Sequence, residues 1–195
     1  MARVEFFFDF GSPYSYLAHS QLSGLGVEVV LRPMAVLKVM EAVGNQPTTL
    51  QSAAKGRYAR ADLGRWAGRY GVPLNPARAQ TNDGQACARA VLAAGRIGAA
   101  REATAALFHA FWGVGDPVGT LPEILAVLAA AGLDVEALEP LIDSPEVVAE
   151  LEANTREAAE RGVFGAPTLF VGDDMYFGND RLDFVRERLA AEIAA

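Results

Sequence analysis

The opening segment of the chain, from Val4 to Ala18, constrains the fold more than any other. The run from Val4 to Phe8 is apolar apart from Glu5 and predicts a buried strand. Gly11 then lets the chain turn, and Ser12-Pro13 is typical of a helix N-cap followed by a first-turn proline. A strand therefore leads straight into a helix, and the Ser12 hydroxyl lies at the N-terminus of that helix.

Length, charge and cysteine content narrow the class of protein. With 195 residues and 51% hydrophobic side chains, the chain can bury a core as one domain, or as one domain with a subdomain. A net charge of −7 argues against a nucleic-acid partner, because phosphate binding needs a concentrated basic face. No secretory leader and no apolar run of ~20 residues is apparent. Cys87 is the only cysteine, which excludes an intramolecular disulfide. We expect a cytoplasmic protein with no membrane partner.

The first half of the chain predicts a strand, a helix and a second strand, followed by a long helical stretch. The helix is expected over Pro13–Leu25, and the alternating segment Val27–Leu31 predicts a strand that stops before Pro33. The short connection favours a parallel pair in a βαβ unit. Helices are then expected over 37–43, 52–70, 85–94, 97–112, 121–131 and 134–142.

The last third of the chain predicts a helix, a hairpin and a closing helix. Ser144-Pro145 is again an N-cap followed by a first-turn proline, and it opens a helix to about Arg161. A glycine-flanked loop leads into a strand at 168–171, which turns back into a second strand at 175–177. The chain is expected to close with a helix over 182–193.

This order of elements is consistent with an α/β fold, a thioredoxin-like sheet (βαβ, then αββα) interrupted by a large all-helical insertion. Residues 1–33 and 144–195 would form the thioredoxin-like domain, and residues 34–143 the insertion. The segment Ser12-Pro13-Tyr14-Ser15 has the spacing of a C-x-x-C redox motif with serines replacing both cysteines. A dithiol oxidoreductase is therefore excluded. The lack of a G-x-G-x-x-G loop counts against dinucleotide binding.

Motifs along the chain resemble those of a known enzyme family. FDFGSPYSYL at residues 8–17 is similar to the start of 2-hydroxychromene-2-carboxylate isomerases, which are related to kappa-class glutathione transferases. VFGAPT at 163–168, FGNDRL at 177–182 and YGVPL at 70–74 match the same family, as do Asp62-Leu63 and Trp66. The resemblance implies a DsbA-like fold, glutathione as cofactor, an aromatic 2-oxo acid as small-molecule substrate, and a homodimer.

The resemblance makes Ser12 the predicted catalytic residue. From spacing alone a plain helix cap is an equally open reading of this serine. In the family its hydroxyl would hold the thiolate of bound glutathione. No histidine base is adjacent in sequence, so an acyl-enzyme nucleophile is not expected. Pro167 would follow a cis peptide bond, as in other thioredoxin-like folds, and Ala166 would contact glutathione through its backbone.

The remaining predicted ligand contacts lie in two segments. The turn Gly178-Asn179-Asp180 would bind the γ-glutamyl end of glutathione, since an acidic side chain suits its ammonium group, and Phe177 would line the same pocket. Helix capping is the alternative reading of Asn179 and Asp180. Lys38 and Asn45 would approach the substrate carboxylate, although a surface position is the common fate of such a lysine.

Other side chains point to core packing rather than chemistry. His19 and His109 lack partners at metal-ligand spacing, so no metal is expected, and Cys87 is expected to be a buried apolar filler. Aromatic residues at helical spacing are expected in the core, with some possible in the walls of the substrate site: Tyr58, Trp66, Phe108, Phe111 and Trp112.

Three functions follow as hypotheses. The first is a glutathione-dependent cis-trans isomerase that interconverts 2-hydroxychromene-2-carboxylate and trans-o-hydroxybenzylidenepyruvate, or a similar aromatic 2-oxo acid. The second is a kappa-like glutathione transferase that releases a conjugate. The third is a non-catalytic thioredoxin-like binding protein, for which glutathione affinity would be absent and Ser12→Ala would behave like the parent.

Overall fold

The sheet has four strands, and its centre is the apolar strand at the start of the chain. The computed structural model describes residues 3–47 and 52–194, with side chains in these ranges up to residue 192. The strand order is β2-β1-β3-β4, with β1 parallel to β2 and antiparallel to β3, which is antiparallel to β4. This mixed sheet confirms the predicted thioredoxin-like α/β fold. The strands are β1 (Arg3–Phe8), β2 (Glu28–Pro33), β3 (Thr168–Val171) and β4 (Asp174–Phe177).

Helices account for most of the other described residues. They are α1 (Pro13–His19), α2 (Val36–Ala42), α3 (Ala53–Tyr70), α4 (Gly84–Gly95), α5 (Ala100–Phe108), α6 (Leu121–Ala130), α7 (Val135–Ile142), α8 (Pro145–Glu160) and α9 (Leu182–Ala194). Short 3₁₀ segments at Leu22–Leu25 and Asn179–Arg181 follow α1 and precede α9, and a π-helical turn at His109–Val114 extends α5.

Alternating side chains of β1 bury both faces of the sheet. Val4, Phe6 and Phe8 are fully buried in the larger hydrophobic cluster, together with residues of α1 and α4 to α9. Phe7 points to the other face, because successive strand residues alternate, and it packs in a second cluster with side chains from α2 and α8. β1 is therefore covered on both sides over Phe6–Phe8, which explains the run of three phenylalanines at its end.

Three predicted elements have ends that differ from the prediction. The helix expected to reach Leu25 ends at His19. A separate 3₁₀ segment follows at Leu22–Leu25, and it ends at Gly26, whose φ is 67°. β2 includes Pro33, which an edge strand tolerates because no strand pairs with its outer side. The helix expected from Ile97 begins at Ala100, after Gly98 with a φ of 76°, and its end is π-helical.

The predicted division at residues 33/34 and 143/144 remains a prediction. One hydrophobic cluster joins the sheet to the helices of the 34–143 segment, through side chains such as Phe8, Leu107 and Ile124. Within residues 3–47 and 52–194, no helix is long and apolar enough to cross a membrane.

The side chain of His19 makes the stability of the fold dependent on pH. Its ring lies 5.2 Å from that of Phe108, and burial lowers its pKa from the ordinary 6.5 to about 4. Between these values the unfolded chain binds a proton that the folded chain does not, so the free energy of unfolding falls as the pH drops through this window.

We expect urea denaturation at pH 7 and pH 4.5 to show this loss in the parent and not in His19→Phe. The parent should lose about 2 kcal/mol more than the variant over this interval. An equal loss in both proteins would mean that other groups control the acid sensitivity.

Candidate functional site

A large cleft opens where β1 leads into α1. Its volume is about 1690 Å³, which exceeds the roughly 300–1,000 Å³ of most ligand pockets. Its walls include residues of the β1–α1 corner, of α2, α3, α4 and α8, and of the loop before β3. Among the lining residues are Ser12, Tyr14, Lys38, Ala166 and Phe177. The cleft has room for a peptide-like ligand beside a second small molecule.

Ser12 links the start of α1 to the loop before β3. Its Oγ accepts a hydrogen bond from the Ser15 N–H at 3.2 Å, as an N-cap does. The same hydroxyl donates to the Ala166 carbonyl at 3.0 Å. Ser15, the other serine of the motif, is fully buried, and its Oγ has no partner among the described residues. Of the two serines, Ser12 alone lines the cleft.

The loop before β3 brings several predicted ligand contacts together. The Ala166–Pro167 peptide bond is cis, as the resemblance implied. The Pro167 carbonyl accepts a hydrogen bond from the Gly178 N–H at 2.9 Å, which joins this loop to the turn after β4. A Cβ placed on Gly165 would lie 2.6 Å from the Phe177 ring, so glycine here allows that ring to lie against the backbone.

The turn at residues 178–180 is held from the helical part of the chain. Gly178 adopts a φ of 102°, which favours glycine. Asn179 is buried, and its carbonyl accepts a hydrogen bond from the Tyr70 hydroxyl at 2.9 Å. The N-cap of the 3₁₀ segment is Gly178, which has no side chain to cap it. Asp180 is exposed and pairs with Arg181 at 2.6 Å. Residues 178–180 are not among those that line the cleft, so the predicted contact of Asp180 with a ligand ammonium group stays a prediction.

The two predicted substrate contacts have different positions. Lys38 is exposed on α2 and lines the cleft. Asn45 does not line it, and its Nδ2 donates to the Phe164 carbonyl at 2.7 Å. The Phe164 and Phe177 rings lie 4.6 Å apart. Asn45 therefore braces the loop that carries Ala166, and its predicted contact with substrate stays a prediction.

The backbone corner that carries Ser12 contacts residues for which the sequence predicted core packing or no role at the site. The Trp112 indole, placed by the π-helical turn, donates to the Phe10 carbonyl at 2.7 Å. A Cβ placed on Gly84 would lie 3.1 Å from the Gly11 nitrogen, so α4 begins directly against this corner. Asp9 accepts the Gly11 N–H at 2.7 Å. The one signal in the sequence was a carboxylate within an apolar run, Phe8-Asp9-Phe10.

Tyr14 provides a second hydroxyl in the wall of the cleft. Its Oη donates to Asp62 on α3 at 3.1 Å. Burial, with the charge and hydrogen bond of Asp62, raises the pKa of Tyr14 to about 12. The phenol therefore stays protonated at neutral pH with its proton directed to Asp62, and it offers the cleft an aromatic wall and an acceptor oxygen.

The remaining reactive side chains lie away from this chemistry. Cys87 is fully buried, as expected, and burial raises the pKa of its thiol, which suppresses thiolate reactivity.

The prediction that aromatic side chains lie in the core is confirmed for Phe108, Phe111 and Trp112, which are buried, whereas Tyr58 is 64% exposed. Over the described ranges, no cluster of three His, Cys, Asp or Glu side chains could hold a metal ion.

Comparison with known proteins places this fold and cleft in a family. The DSBA-like thioredoxin domain family matches residues 3–190. A 2-hydroxychromene-2-carboxylate isomerase from Sphingobium xenophagum is 38% identical over 192 residues, covering 95% of this chain and 97% of the relative. Glutathione S-transferase kappa 2 from Caenorhabditis elegans is 29% identical over 205 residues, covering 96% of this chain and 91% of the relative.

A solved structure agrees with the sequence relatives. The structure of a selenomethionine-labelled 2-hydroxychromene-2-carboxylate isomerase superposes with a TM-score of 0.87 at 33% identity, covering 98% of this chain and 96% of that one. The class is thus that of DSBA-like thioredoxin domains. Within that class, the chain belongs to the 2-hydroxychromene-2-carboxylate isomerase family.

The contact between Gly165 and Phe177 gives a test of how the cleft wall is built. We expect Gly165→Ala to lower the free energy of unfolding by about 1 kcal/mol or less, because the new methyl group overlaps the Phe177 ring, which is 42% exposed and can rotate away. Adding Phe177→Ala should remove most of this penalty, which a double-mutant cycle in urea would measure.

Gly68→Ala on α3 is the matched control. A Cβ there would meet nothing within 4 Å, so this variant should be neutral or stabilised by up to about 1 kcal/mol. Additive effects of the Gly165 and Phe177 substitutions would contradict the contact.

Proposed function

We propose that this protein is a glutathione-dependent isomerase that acts on a conjugated aromatic 2-oxo acid. The substrate pair would be 2-hydroxychromene-2-carboxylate and trans-o-hydroxybenzylidenepyruvate, or close analogues. The observation that carries the proposal is the Ser12 hydroxyl, which lies at the N-terminus of α1 in a large cleft, within hydrogen-bond distance of the Ala166 carbonyl. The relatives named as isomerases and as a kappa-class glutathione transferase support it.

The residues around the cleft fit glutathione. The N–H and the carbonyl of Ala166, which precedes the cis proline, can pair with the peptide backbone of the cofactor as an added strand would. No described residue accepts a hydrogen bond from the Ala166 N–H. The exposed carboxylate of Asp180 suits an ammonium group, and the turn that carries it is joined to Pro167 through Gly178.

The hydroxyl of Ser12 can serve a thiolate without losing its capping role. A serine hydroxyl has one proton and two acceptor lone pairs, and the proton rotates about the Cβ–Oγ bond. The Ser15 N–H occupies one lone pair, so the proton can move from the Ala166 carbonyl to a sulfur atom. The Ala166 carbonyl then becomes free for a donor on the cofactor.

The interactions available at Ser12 are strong enough to ionise a bound thiol at neutral pH. Lowering the pKa of a cysteine-like thiol from about 8.5 to about 6.5 requires about 2.7 kcal/mol. A helix N-terminus supplies ~0.3–1 kcal/mol, and a hydrogen bond to a charged group supplies ~1.5–3 kcal/mol. The two contributions meet at Ser12, and neither is comfortably enough alone.

Bound glutathione would supply a thiolate that adds reversibly to the activated double bond. The resulting single bond can rotate, and loss of the thiolate then restores the double bond in the other geometry. The chain's own residues hold and orient the reactants. Ser12 and the Ala166-Pro167 backbone position the cofactor, and Lys38 on α2 offers a cation for the substrate carboxylate. Tyr14 and Phe111 give aromatic walls for a flat substrate. Such positioning accounts for most of the catalysis that the protein must provide.

Titration with glutathione tests the role of Ser12. We expect the parent to bind glutathione and to show thiolate absorbance near neutral pH. Ser12→Ala should keep weaker binding and lose about nine-tenths of that absorbance, because the alanine cannot donate to the sulfur.

Ser144→Ala is the matched control, since Ser144 also caps a helix immediately before a proline and accepts the Val147 N–H. Both variants should lose about 1 kcal/mol of stability, and Ser144→Ala should bind glutathione as the parent does. A parent that does not bind glutathione would overturn the proposal and favour the non-catalytic binding protein.

A further inference from the structure

Asp9 is a buried carboxylate beneath the corner that presents Ser12. Its Oδ1 accepts the Gly11 N–H at 2.7 Å, and its Oδ2 accepts the Val36 N–H at 2.9 Å. The Gln85 side-chain Nε2 donates to the same Oδ2 at 3.3 Å. Asp9 is 6% exposed and lines the floor of the cleft. Within the described ranges, no cation forms an ion pair with it.

A buried carboxylate without a cation is costly, so packing alone does not explain it. Burial raises the pKa of Asp9, while its backbone and Gln85 hydrogen bonds act in the opposite direction. An asparagine would form the same turn with Gly11 at lower cost. It could not accept two backbone N–H groups on two different atoms, because one of its two terminal atoms is a donor.

The three contacts of Asp9 lie on three different parts of the cleft. Gly11 immediately precedes Ser12, whose own N–H donates to the Asp9 carbonyl at 3.0 Å. Val36 is the first residue of α2, the helix that carries Lys38. Gln85 lies in the first turn of α4, next to Gly84, which approaches the Gly11 backbone. One side chain thus joins the proposed cofactor side of the cleft to the proposed substrate side.

We propose that Asp9 is a positioning residue that fixes the Ser12 hydroxyl relative to α2 and α4. The inference rests on the proposed function for its catalytic meaning, but the brace itself is a property of the fold. Without the second carboxylate oxygen, either the Gly11 or the Val36 attachment is lost. Ser12 then no longer lies at a fixed distance from a substrate held along α2.

Asp9→Asn is the direct test, and Asp134→Asn is its matched control. Asp134 accepts the Ala137 N–H as the N-cap of α7, and it does not line the cleft. Asparagine caps helices as well as aspartate does, so Asp134→Asn should behave as the parent. Amide hydrogen exchange should show faster exchange at Gly11 or Val36 in Asp9→Asn only. Unchanged protection at both amides would overturn the brace.

The thiolate absorbance of bound glutathione separates positioning from a purely structural role. In Asp9→Asn we expect the thiolate fraction near neutral pH to fall about three- to tenfold, because Ser12 is misplaced. An unchanged fraction would show that Asp9 is structural only. A larger fraction would show that removing a negative charge is the sole effect, and it would also contradict positioning.

A second variant covers the case in which Asp9→Asn does not fold. Gln85→Met removes the contact from α4 and keeps the side-chain length, and it should lower the thiolate fraction in the same direction by a smaller factor. If the parent fails to bind glutathione, the proposed function fails, whereas hydrogen exchange still decides the brace. Rapid exchange at Gly11 with an unchanged thiolate fraction would reject the positioning role alone.

Discussion

The Ser12 hydroxyl joins the corner after β1 to the loop before β3, two segments that are far apart in the sequence. It caps α1 through the Ser15 N–H, and it donates to the carbonyl of Ala166, 154 residues further along the chain. The proposed cofactor site exists because β1 and β3 are neighbours in the sheet, so the loop after one strand faces the loop before the other. Serines occupy both positions of a C-x-x-C spacing at this corner, and the hydrogen bonds that join its two loops need no thiol.

Much of the fold could be predicted because its signals are local. Several elements occur at the residues where the sequence predicts them. These are strand β1, the Ser-Pro helix caps at residues 12 and 144, and the strand at 168–171. Errors arose where the backbone departs from a regular element without a strong sequence signal. The 3₁₀ segment after α1 and the π-helical turn at His109–Val114 are such cases, since tertiary packing decides them.

The residues predicted to contact glutathione lie on short motifs that the sequence shows, whereas the residues that support them lie on distant segments. Ser12, Ala166, Pro167 and Phe177 come together around one end of the cleft. The supports of this arrangement are long-range: Asp9 to Val36, Trp112 to Phe10 and Tyr70 to Asn179. Each joins residues at least 27 positions apart, so no local pattern could reveal them.

The proposed role of glutathione is tested most directly by turnover of an aromatic 2-oxo acid substrate with glutathione present in less than equimolar amount. We expect each glutathione to support many isomerisation events and to be recovered as the free thiol, and we expect no isomerisation when glutathione is omitted. Conversion that stops at one product per glutathione, with a stable conjugate released, would contradict the isomerase and favour a transferase. Isomerisation at an equal rate without glutathione would contradict the thiolate mechanism itself.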